Sequence, residues 1–575
     1  MSQGIVRLSL WSYSPSKVGV PTYVASLERV DGMLAQLESK ALRVNQQAVD
    51  ELGHLVRHGN GSLEDLYESI LREDAQKIEP LHFITKREFV SPLRLLCKAD
   101  QAEIPFPNLE QKKLSDLASI NAFLSSSSSQ NTKQGQKANP AVRVYVDIRG
   151  NYLSTSLQNL ASASVSMSRK KSPDETYRQG TNGITTYAGG IEGMLISEWQ
   201  NLTAIFAREE WGTVFEMTTN QTLTEFAKTL REMNTQIRSS ITTDCFLAFE
   251  VVDTVNRLAS HIDHETGQLK QQLIDALRPI RDTAKLSLPE LLEDVRRRIS
   301  NTIALPIDGA ALPMTSEVVL HLQTLVLYPQ SLASTLISLG DGNWSSPSAA
   351  TNISSSSLPS TASYESGANG NQLIAHYVHD SVDNLLSALE ARARIIMKSK
   401  ALVGLFMANN VAVVDRMIRS SDLQPLLIST NSPFKAEAWR KKGTGAYLDS
   451  WREPCAALMD VQYTNRGARP PSGNTGTVDS AAVIKGLGSK DKDGIKEKFK
   501  IFNSKFEELC TRHREMAPGM ERDVRNQLAR EIQTLIEPLY ARFWDRYHEI
   551  DKGKGKGKYV KYDKGSLATQ IANLG

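Results

Sequence analysis

The chain has few cysteines for its length, and this scarcity excludes two kinds of cross-linked fold. Its 575 residues include four cysteines, which lie far apart and form no Cys-x-x-Cys pair. They are Cys97, Cys245, Cys455 and Cys510. A disulfide framework and a cysteine-ligated zinc cluster both need closely spaced pairs, so neither is predicted, and the spacing fits a reducing compartment.

Long hydrophobic runs are also missing. No run reaches the roughly 18–20 apolar residues that span a bilayer. The best candidate, residues 401–414, has 14 residues and is interrupted by Asn409 and Asn410, so we interpret it as a buried helix. The first residues contain neither the apolar core nor the cleavage site of a secretory signal, and no such signal is expected. Hydrophobic residues at 40% and charged residues at 23% exclude a wholly disordered or collagen-like chain.

The sequence motifs of common enzymes are absent. The chain has no Gly-x4-Gly-Lys-Ser/Thr phosphate loop, no Gly-x-Ser-x-Gly elbow and no His-Glu-x-x-His zinc motif. His261 and His264 have helical spacing, but no third metal ligand lies nearby in the sequence. The neighbouring carboxylates Glu507 and Glu508 are typical of a solvated helix face. We therefore predict a protein that is not an enzyme and has no metal site and no cofactor.

Helical periodicity dominates what is present, and no convincing set of alternating strands occurs. Apolar residues at 27, 30, 34, 37, 41, 44 and 48 follow a 3-4 spacing that predicts a coiled-coil seam. Further amphipathic helices are predicted over residues 244–258, 289–299, 318–339, 382–397, 499–509 and 520–547. Pro289 is assigned to the first turn of its helix, whereas Pro538 predicts a kink or a break. The expected fold class is all-α, an elongated rod of consecutive antiparallel helical bundles.

Four segments have compositions typical of loops, namely 125–140, 164–179, 345–371 and 465–479. They are poor in apolar residues, so they cannot bury enough surface to offset the entropy of ordering, and 345–371 is expected to be disordered. These breaks predict four domains. They are an N-terminal helical bundle with a coiled-coil segment at 1–185, a second bundle at 186–305, a third bundle containing the disordered loop at 306–478, and a basic C-terminal bundle at 479–575.

Positive charge is concentrated at the C-terminal end of the chain. The net charge is only +3, but residues 481–575 contain 20 Lys plus Arg against 14 Asp plus Glu, so the preceding residues sum to −3. This asymmetry suggests an anionic partner, which could be phosphate head groups, nucleic acid or an acidic protein, and a merely solubilising tail is the alternative. Nucleic acid is disfavoured because no stacking platform or recognised nucleic-acid fold accompanies the charge.

Six lysines make up the densest part of this basic region: Lys552, Lys554, Lys556, Lys558, Lys561 and Lys564. Near an anionic bilayer each lysine contributes about 1 kcal/mol. If residues 559–574 form a helix that starts one residue early, Lys558 and Lys561 lie on one helix face and meet the same head group. Tyr559 and Tyr562 are expected to pack into the last bundle.

Several separated blocks of the sequence resemble one known family. Residues 537–547 (EPLYARFWDRY) followed by 558–562 (KYVKY) are similar to the C-terminal signature of the 70 kDa component of the exocyst, particularly in fungi. Further similar blocks occur earlier in the chain, in the same order as in the family: 142–160, 177–193, 244–250, 340–344, 409–410, 421–423 and 439–442. The resemblance covers residues 45–575 and is not seen in residues 1–20. Residues 27–48 are interpreted as a remnant of the family's longer N-terminal coiled coil.

The resemblance implies a non-catalytic subunit that tethers secretory vesicles to the plasma membrane before fusion. It implies binding to other exocyst subunits, to Rho-family small GTPases and to phosphatidylinositol 4,5-bisphosphate. The implied location is the cytoplasm and the cytoplasmic face of the plasma membrane at sites of polarised growth, such as the bud or hyphal tip and the bud neck. The lipid role carries over to Lys558 and Lys561.

Four arginines are expected to extend the lipid-binding patch: Arg522, Arg525, Arg542 and Arg546. Two other classes of protein stay open at this point. One is a helical adaptor that binds only proteins and has a solubilising basic tail. The other is a peripheral lipid-modifying or nucleotide-using enzyme, which the missing catalytic motifs disfavour.

Overall fold

The structure is a computed structural model that describes nine ranges of the chain: 14–39, 46–88, 106–130, 139–168, 175–345, 368–431, 436–459, 480–551 and 557–575. Within these ranges the regular structure is helical and no strand occurs, so the all-α fold class is confirmed. The chain divides into two compact units, Met1–Ser287 and Leu288–Gly575. The division into four domains stays a prediction.

The first unit contains nine helices and the beginning of a tenth within its described residues. They are α1 Pro15–Val18, α2 Val20–Ser39, α3 Gln46–Glu73, α4 Leu81–Glu88, α5 Gln111–Gln130, α6 Pro140–Met167, α7 Ile184–Ile205, α8 Trp211–Ser239, α9 Ile241–Thr266 and α10 Lys270–Ser300. Each long helix buries one apolar face, and α9, which presents Phe246, Phe249 and Val252 to the core, is among the most deeply buried.

The predicted coiled-coil seam is divided between two helices. α2 ends at Ser39 and α3 begins at Gln46, while residues 40–45 lie outside the described ranges. Leu27 is fully buried and lies so close to Gly59 of α3 that a Cβ atom added to this glycine would overlap with the Leu27 methyl groups. Ala48, the last residue of the seam, is exposed. Leu27 therefore packs against α3 within the first unit, whereas positions 41 and 44 of the predicted seam lie outside the described residues.

Two of the predicted loops are partly helical. α5 continues through the serine run to Gln130 and α6 continues to Met167. Serine side chains inside these helices bond to the preceding turn, as Ser126 does when its hydroxyl donates to the Phe123 carbonyl at 2.7 Å. Residues 131–138 and 169–174 lie outside the described ranges, as do 346–367 and 460–479, which contain most of the other two predicted loops.

The second unit contains the end of α10, eleven further α-helices and four short 3-10 helices (Asn343–Ser345, Asp449–Trp451, Ala517–Gly519 and His548–Asp551) within its described residues. The α-helices are α11 Pro313–Leu325, α12 Pro329–Leu339, α13 Ala368–Ile396, α14 Lys400–Arg419, α15 Leu423–Ser429, α16 Ala436–Leu448, α17 Arg452–Ala457, α18 Ser480–Lys485, α19 Ser489–Met516, α20 Arg522–Tyr547 and α21 Lys564–Ala572.

Prolines affect these helices differently from the prediction. Pro289 lies inside α10, not in a first turn, because buried apolar residues such as Leu288 and Leu292 stabilise the helix around it. Pro538 lies inside a continuous α20, so no break occurs there. Pro329, in contrast, separates α11 from α12 within the single helix predicted over 318–339, since proline disfavours a helical residue before it.

Helix α14 is long and apolar enough, by length and composition alone, to cross a membrane. Most of it is buried in the second unit, and its polar residues are used there. Asn409 donates from Nδ2 to the Gly309 carbonyl at 2.6 Å, and Asn410 accepts at Oδ1 from the Thr315 hydroxyl at 2.5 Å. These bonds identify α14 as a core helix, in agreement with its interpretation as a buried helix.

Helices α14 and α16 cross at a pair of glycines. A Cβ atom on Gly404 would lie 2.5 Å from the Gly443 carbonyl oxygen, and one on Gly443 would lie 2.9 Å from the Gly404 carbonyl oxygen. Real Cβ atoms do not approach backbone so closely, so only glycine permits this crossing. Leu405 and Tyr447, which follow on the two helices, enter the hydrophobic core that also holds α19 and α20.

Candidate membrane-binding site

Residues 557–575 run alongside α19 and α20, and we call them the C-terminal strap. Gly557 has a φ of +86°, which favours glycine. α21 begins only at Lys564, because Asp563 caps it: the Asp563 side chain accepts from the Ser566 N–H at 2.6 Å and the Ser566 hydroxyl accepts from the Asp563 N–H at 2.9 Å. The condition that residues 559–574 form a helix is therefore not met, and Lys558 and Lys561 do not share a helix face.

Two tyrosines fasten the strap to the bundle. The Tyr559 carbonyl accepts from Asn503 Nδ2 at 2.8 Å, and the Tyr562 carbonyl accepts from the Tyr540 hydroxyl at 2.7 Å. The Tyr562 hydroxyl donates to Glu507 Oε1 at 2.8 Å. Both rings lie against the hydrophobic core of the bundle, which confirms the prediction that these tyrosines pack there.

His513 of α19 holds the end of the strap. Its buried ring places Nδ1 2.8 Å from the Tyr447 hydroxyl and Nε2 3.2 Å from the Leu574 carbonyl oxygen. A carbonyl only accepts, so we assign the proton to Nε2, and Nδ1 accepts from Tyr447. Burial lowers the pKa of His513 from 6.5 to about 4, which keeps the ring neutral.

We expect acid to destabilise the second unit through His513. The unfolded imidazole takes up a proton below pH 6.5, whereas the folded one does so only near pH 4. The free energy of unfolding is therefore highest above pH 6.5 and falls as the pH drops toward 4, by about 2 kcal/mol at pH 5. Urea denaturation at pH 7 and pH 5 measures the loss. The His513→Gln variant, which is neutral at both pH values, should show a smaller loss, and an equal loss in both proteins would contradict the assignment.

The three described lysines of the strap differ in their surroundings. Lys558 is exposed, its Nζ lies 5.5 Å from the centroid of the Tyr559 ring, and it makes no ion pair with another described residue. Lys561 Nζ lies 2.5 Å from Glu507 Oε1, and Lys564 Nζ lies 2.5 Å from Asp545 Oδ1. Two of the three are thus paired with carboxylates. The remaining predicted lysines, Lys552, Lys554 and Lys556, lie outside the described ranges.

The four predicted arginines occupy the two ends of α20. Arg542 is exposed and Arg546 is partly buried, and both lie at the end that faces the start of α21. Arg522 and Arg525 lie in the first turn, where Arg525 Nη2 donates to the Gly575 carbonyl at 3.0 Å. A helix rises 1.5 Å per residue, so Arg522 lies about 30 Å from Arg542. The structure therefore brings Arg542 and Arg546 near the strap lysines and leaves Arg522 and Arg525 at the other end.

Two residues of α19 belong to this surface and were missed by sequence reasoning. Lys496 Nζ lies 5.8 Å from the centroid of the Tyr559 ring, the same ring that Lys558 approaches. Glu507 accepts from both Lys561 and Tyr562. In the sequence Lys496 belongs to a run of alternating acidic and basic side chains and Glu507 to an acidic pair, and no local signal distinguishes either from a solvated helix face.

Metal and redox chemistry find no support in the described residues. No group of three or more metal-ligating side chains occurs among them, and His261 is paired instead with Glu192, at 3.0 Å between Nδ1 and Oε1. Cys245, Cys455 and Cys510 are buried free thiols, and burial raises the pKa of each, to about 12, 11 and 11 respectively. Cys97 lies outside the described ranges.

Two family descriptions match the chain. The family of the C-terminal part of Exo70, an exocyst complex protein, matches residues 181–573, and the family described as "Exocyst complex component Exo70 N-terminal" matches residues 8–73. The second match includes residues 8–20, so the inference that residues 1–20 lack any resemblance is wrong for that part.

Curated relatives and a solved structure agree with these matches. An exocyst complex protein exo70 of Neurospora crassa is 43% identical over 563 residues, which is 97% of this chain and 84% of the relative. The corresponding protein of Gibberella zeae is 44% identical over 561 residues, with the same coverage. A solved structure of Saccharomyces cerevisiae Exo70 is 20% identical, covers 100% of this chain and 97% of its own, and superposes with a TM-score of 0.71.

The helical fold and these relatives together define the class of protein, which is a non-enzymatic subunit of the exocyst complex. The family is also clear, because a family match covers more than half of the chain and relatives above 40% identity cover nearly all of it. The chain belongs to the Exo70 family.

Proposed function

We propose that this exocyst subunit helps to tether secretory vesicles to the plasma membrane before fusion. In this proposal the C-terminal strap and the adjoining end of α20 bind phosphatidylinositol 4,5-bisphosphate. Other exocyst subunits and Rho-family small GTPases are its protein partners. The protein acts in the cytoplasm and at the cytoplasmic face of the plasma membrane, at sites of polarised growth such as the bud or hyphal tip and the bud neck.

The observation that carries the lipid proposal is the position of Lys558. This exposed cation has no carboxylate partner among the described residues. The residue after it, Tyr559, is hydrogen-bonded through its backbone to Asn503 and Asp551. Because the backbone beneath it is already ordered, binding a head group costs little further conformational entropy. The adjoining ring of Tyr559 is amphipathic and suits the boundary between head groups and acyl chains.

The remaining basic residues of the proposal fall into two groups. Lys561 and Lys564 follow Lys558 on the strap, and Arg542 and Arg546 lie at the end of α20 that Lys564 contacts through Asp545. Lys552, Lys554 and Lys556 adjoin them in sequence and add charge. Arg522 and Arg525 are proposed as outer contacts only, since they lie at the far end of α20.

We expect the double variant Lys558→Ala/Lys561→Ala to bind vesicles containing phosphatidylinositol 4,5-bisphosphate about tenfold more weakly than the wild type. An unpaired lysine near an anionic surface contributes about 1 kcal/mol, and Lys561 contributes less because its pair with Glu507 must be exchanged. Sedimentation with vesicles of defined charge measures the change. Raising the salt concentration from about 0.1 to about 0.5 M should weaken wild-type binding strongly, since salt screens exposed charges.

A matched control is the double variant Lys228→Ala/Lys270→Ala, which removes two lysines from the first unit, both of them in surface ion pairs. It should bind vesicles like the wild type. Both double variants should keep the thermal stability of the wild type to within a few degrees, because surface lysines hold no core together. If the folded Lys558/Lys561 variant keeps full affinity, the site lies elsewhere, in residues 552–556 or on the arginines of α20.

The second candidate is a helical adaptor that binds only proteins. It is favoured by the pairing of Lys561 and Lys564 with Glu507 and Asp545, because these lysines stabilise the strap without any lipid. The adaptor would bind other exocyst subunits and show no affinity for anionic vesicles even at low salt. The wild-type sedimentation experiment therefore separates the two functions.

A further inference from the structure

Two hydrogen-bond donors of the strap converge on a single carboxylate oxygen. Lys561 Nζ lies 2.5 Å from Glu507 Oε1, and the Tyr562 hydroxyl donates to the same oxygen at 2.8 Å. The Glu507 side chain keeps 42% of its surface exposed and that of Lys561 keeps 51%. The two donors thus form a small anion-binding subsite at the surface of the bundle, and Glu507 occupies it.

We infer that a phosphate of a membrane lipid takes the place of Glu507 in this subsite. The inference rests on the proposed function and adds to it the donor Tyr562 and the internal competitor Glu507. Phosphate oxygens accept hydrogen bonds from ammonium and hydroxyl groups with the same geometry as a carboxylate, and a phosphomonoester has a larger negative charge. The exchange makes and breaks only hydrogen bonds and ion pairs.

The geometry allows this exchange by side-chain motion alone. The strap backbone is held from beneath, at the Tyr559 carbonyl by Asn503 and at the Tyr562 carbonyl by Tyr540. Neither bond involves Glu507, so its carboxylate turns outward into water while the two donors stay in place. The Tyr562 hydroxyl stays protonated as a donor, because burial and the neighbouring Glu507 raise its pKa.

Lys558 is a second lysine close to the subsite in the sequence of the strap. It lies three residues before Lys561 on the strap, a separation of at most about 10 Å along an extended chain. Lys558 has no ion-pair partner among the described residues, so a head group with several phosphates can engage it first and then displace Glu507 from Lys561. In the protein without ligand, Glu507 neutralises Lys561 and weakens binding to anionic surfaces.

The test is to remove the competing charge while keeping the shape of the side chain. Glu507→Gln retains an oxygen that accepts from Tyr562, and it should raise the affinity for vesicles containing phosphatidylinositol 4,5-bisphosphate about fivefold, the contribution of one released lysine. The matched control is Glu508→Gln, which removes the same charge from the next residue of α19, where the carboxylate pairs with Arg512 at the helix surface. It should change the affinity less than about twofold, because Glu508 pairs with Arg512 and its removal releases no lysine of the strap.

A third variant tests whether the gain passes through Lys561. Adding Glu507→Gln to Lys561→Ala should give no gain over Lys561→Ala alone, because no lysine is left to release. Calorimetric titration with soluble inositol 1,4,5-trisphosphate is a second readout, in which Glu507→Gln should again bind more tightly. A gain seen on vesicles but not with the soluble trisphosphate would indicate general surface attraction and would overturn the subsite.

The outcomes separate this inference from the proposed function. If the wild type binds vesicles but Glu507→Gln and Glu508→Gln behave alike, the competitor role is wrong and the lipid function stands. If Glu507→Gln still raises the affinity when Lys561 is replaced by alanine, the competitor role is also wrong and the lipid function stands. If none of the proteins binds vesicles or trisphosphate at low salt, the proposed lipid function and the subsite are both wrong.

Discussion

Replacing Arg149 with alanine is expected to lower the free energy of unfolding of the first unit by about 4 kcal/mol, since removing one member of a buried ion pair leaves an uncompensated charge. Arg149 on α6 and Glu198 on α7 are only 2% and 1% exposed, and Arg149 Nη2 lies 2.6 Å from Glu198 Oε2. Without the guanidinium, the hydrogen bond from the Tyr145 hydroxyl, at 2.6 Å, is the one bond of this network that the Glu198 carboxylate retains.

The same arginine joins a third segment to these two helices. Its Nη1 donates to the Asp74 carbonyl at 3.2 Å, just after the end of α3. The loss of stability should therefore affect α3, α6 and α7 together. Hydrogen exchange of peptides from these helices in the full chain measures it, since local opening free energies fall with the stability of the unit.

Arg72→Ala is the control for a surface ion pair. Its partner Glu68 lies one turn away on α3, and both side chains are well exposed. Such pairs contribute about 0.5 kcal/mol or less, so the control should leave the exchange pattern almost unchanged. The double variant Arg149→Met/Glu198→Leu should recover part of the loss, because apolar replacement removes both charges together. Equal losses for Arg149→Ala and Arg72→Ala would contradict the proposed importance of the buried pair.

The second large effect is expected at the crossing of α14 and α16. Gly404→Ala should destabilise the second unit by about 3 kcal/mol, because its new Cβ lies against backbone atoms that cannot move without separating the helices. It would lie 2.5 Å from the Gly443 carbonyl oxygen and 2.9 Å from the Tyr447 nitrogen. Thermal and urea denaturation of the full chain measure the loss.

Gly445→Ala is the matched control on α16. A Cβ at this position meets no atom within 4 Å, so the change should be neutral or should stabilise the helix by up to about 1 kcal/mol. Gly404→Ala should also weaken vesicle binding, because Leu405 and Tyr447 share a hydrophobic core with α19 and α20 beneath the strap. If both glycine variants are equally stable, the close crossing is not a constraint.

Local sequence patterns were sufficient for the fold class and for part of the site. The apolar residues three apart over 244–258 predicted a helix that lies within α9, because one face of a helix repeats every 3.6 residues wherever it packs. The tyrosines at 559 and 562 were expected in the core of the last bundle and lie against it. The same reasoning failed at Pro289, where burial of the neighbouring leucines overrides the local preference of proline for a helix start.

Glu507 and Glu508 show most clearly what local sequence patterns do not predict. Both were interpreted as parts of a solvated helix face, and Glu508, which pairs with Arg512 one turn away, agrees with that interpretation. Glu507 is one residue earlier and meets Lys561 and Tyr562, which lie more than fifty residues later in the chain. No local pattern distinguishes these two carboxylates, since the difference depends on where the strap crosses α19.

The sequence by itself determined the helical class, the absence of the common catalytic motifs, the concentration of lysines near the C-terminus and the blocks by which the family is recognised. Each of these depends on residue types and on spacings within one helix. Only the tertiary structure decided that Lys561 and Lys564 are paired, that Lys558 is exposed without an ion-pair partner among the described residues, and that Lys496 approaches the same ring. The reason is physical: the availability of a surface lysine for a ligand depends on carboxylates that chain segments far apart in sequence bring within a few ångströms.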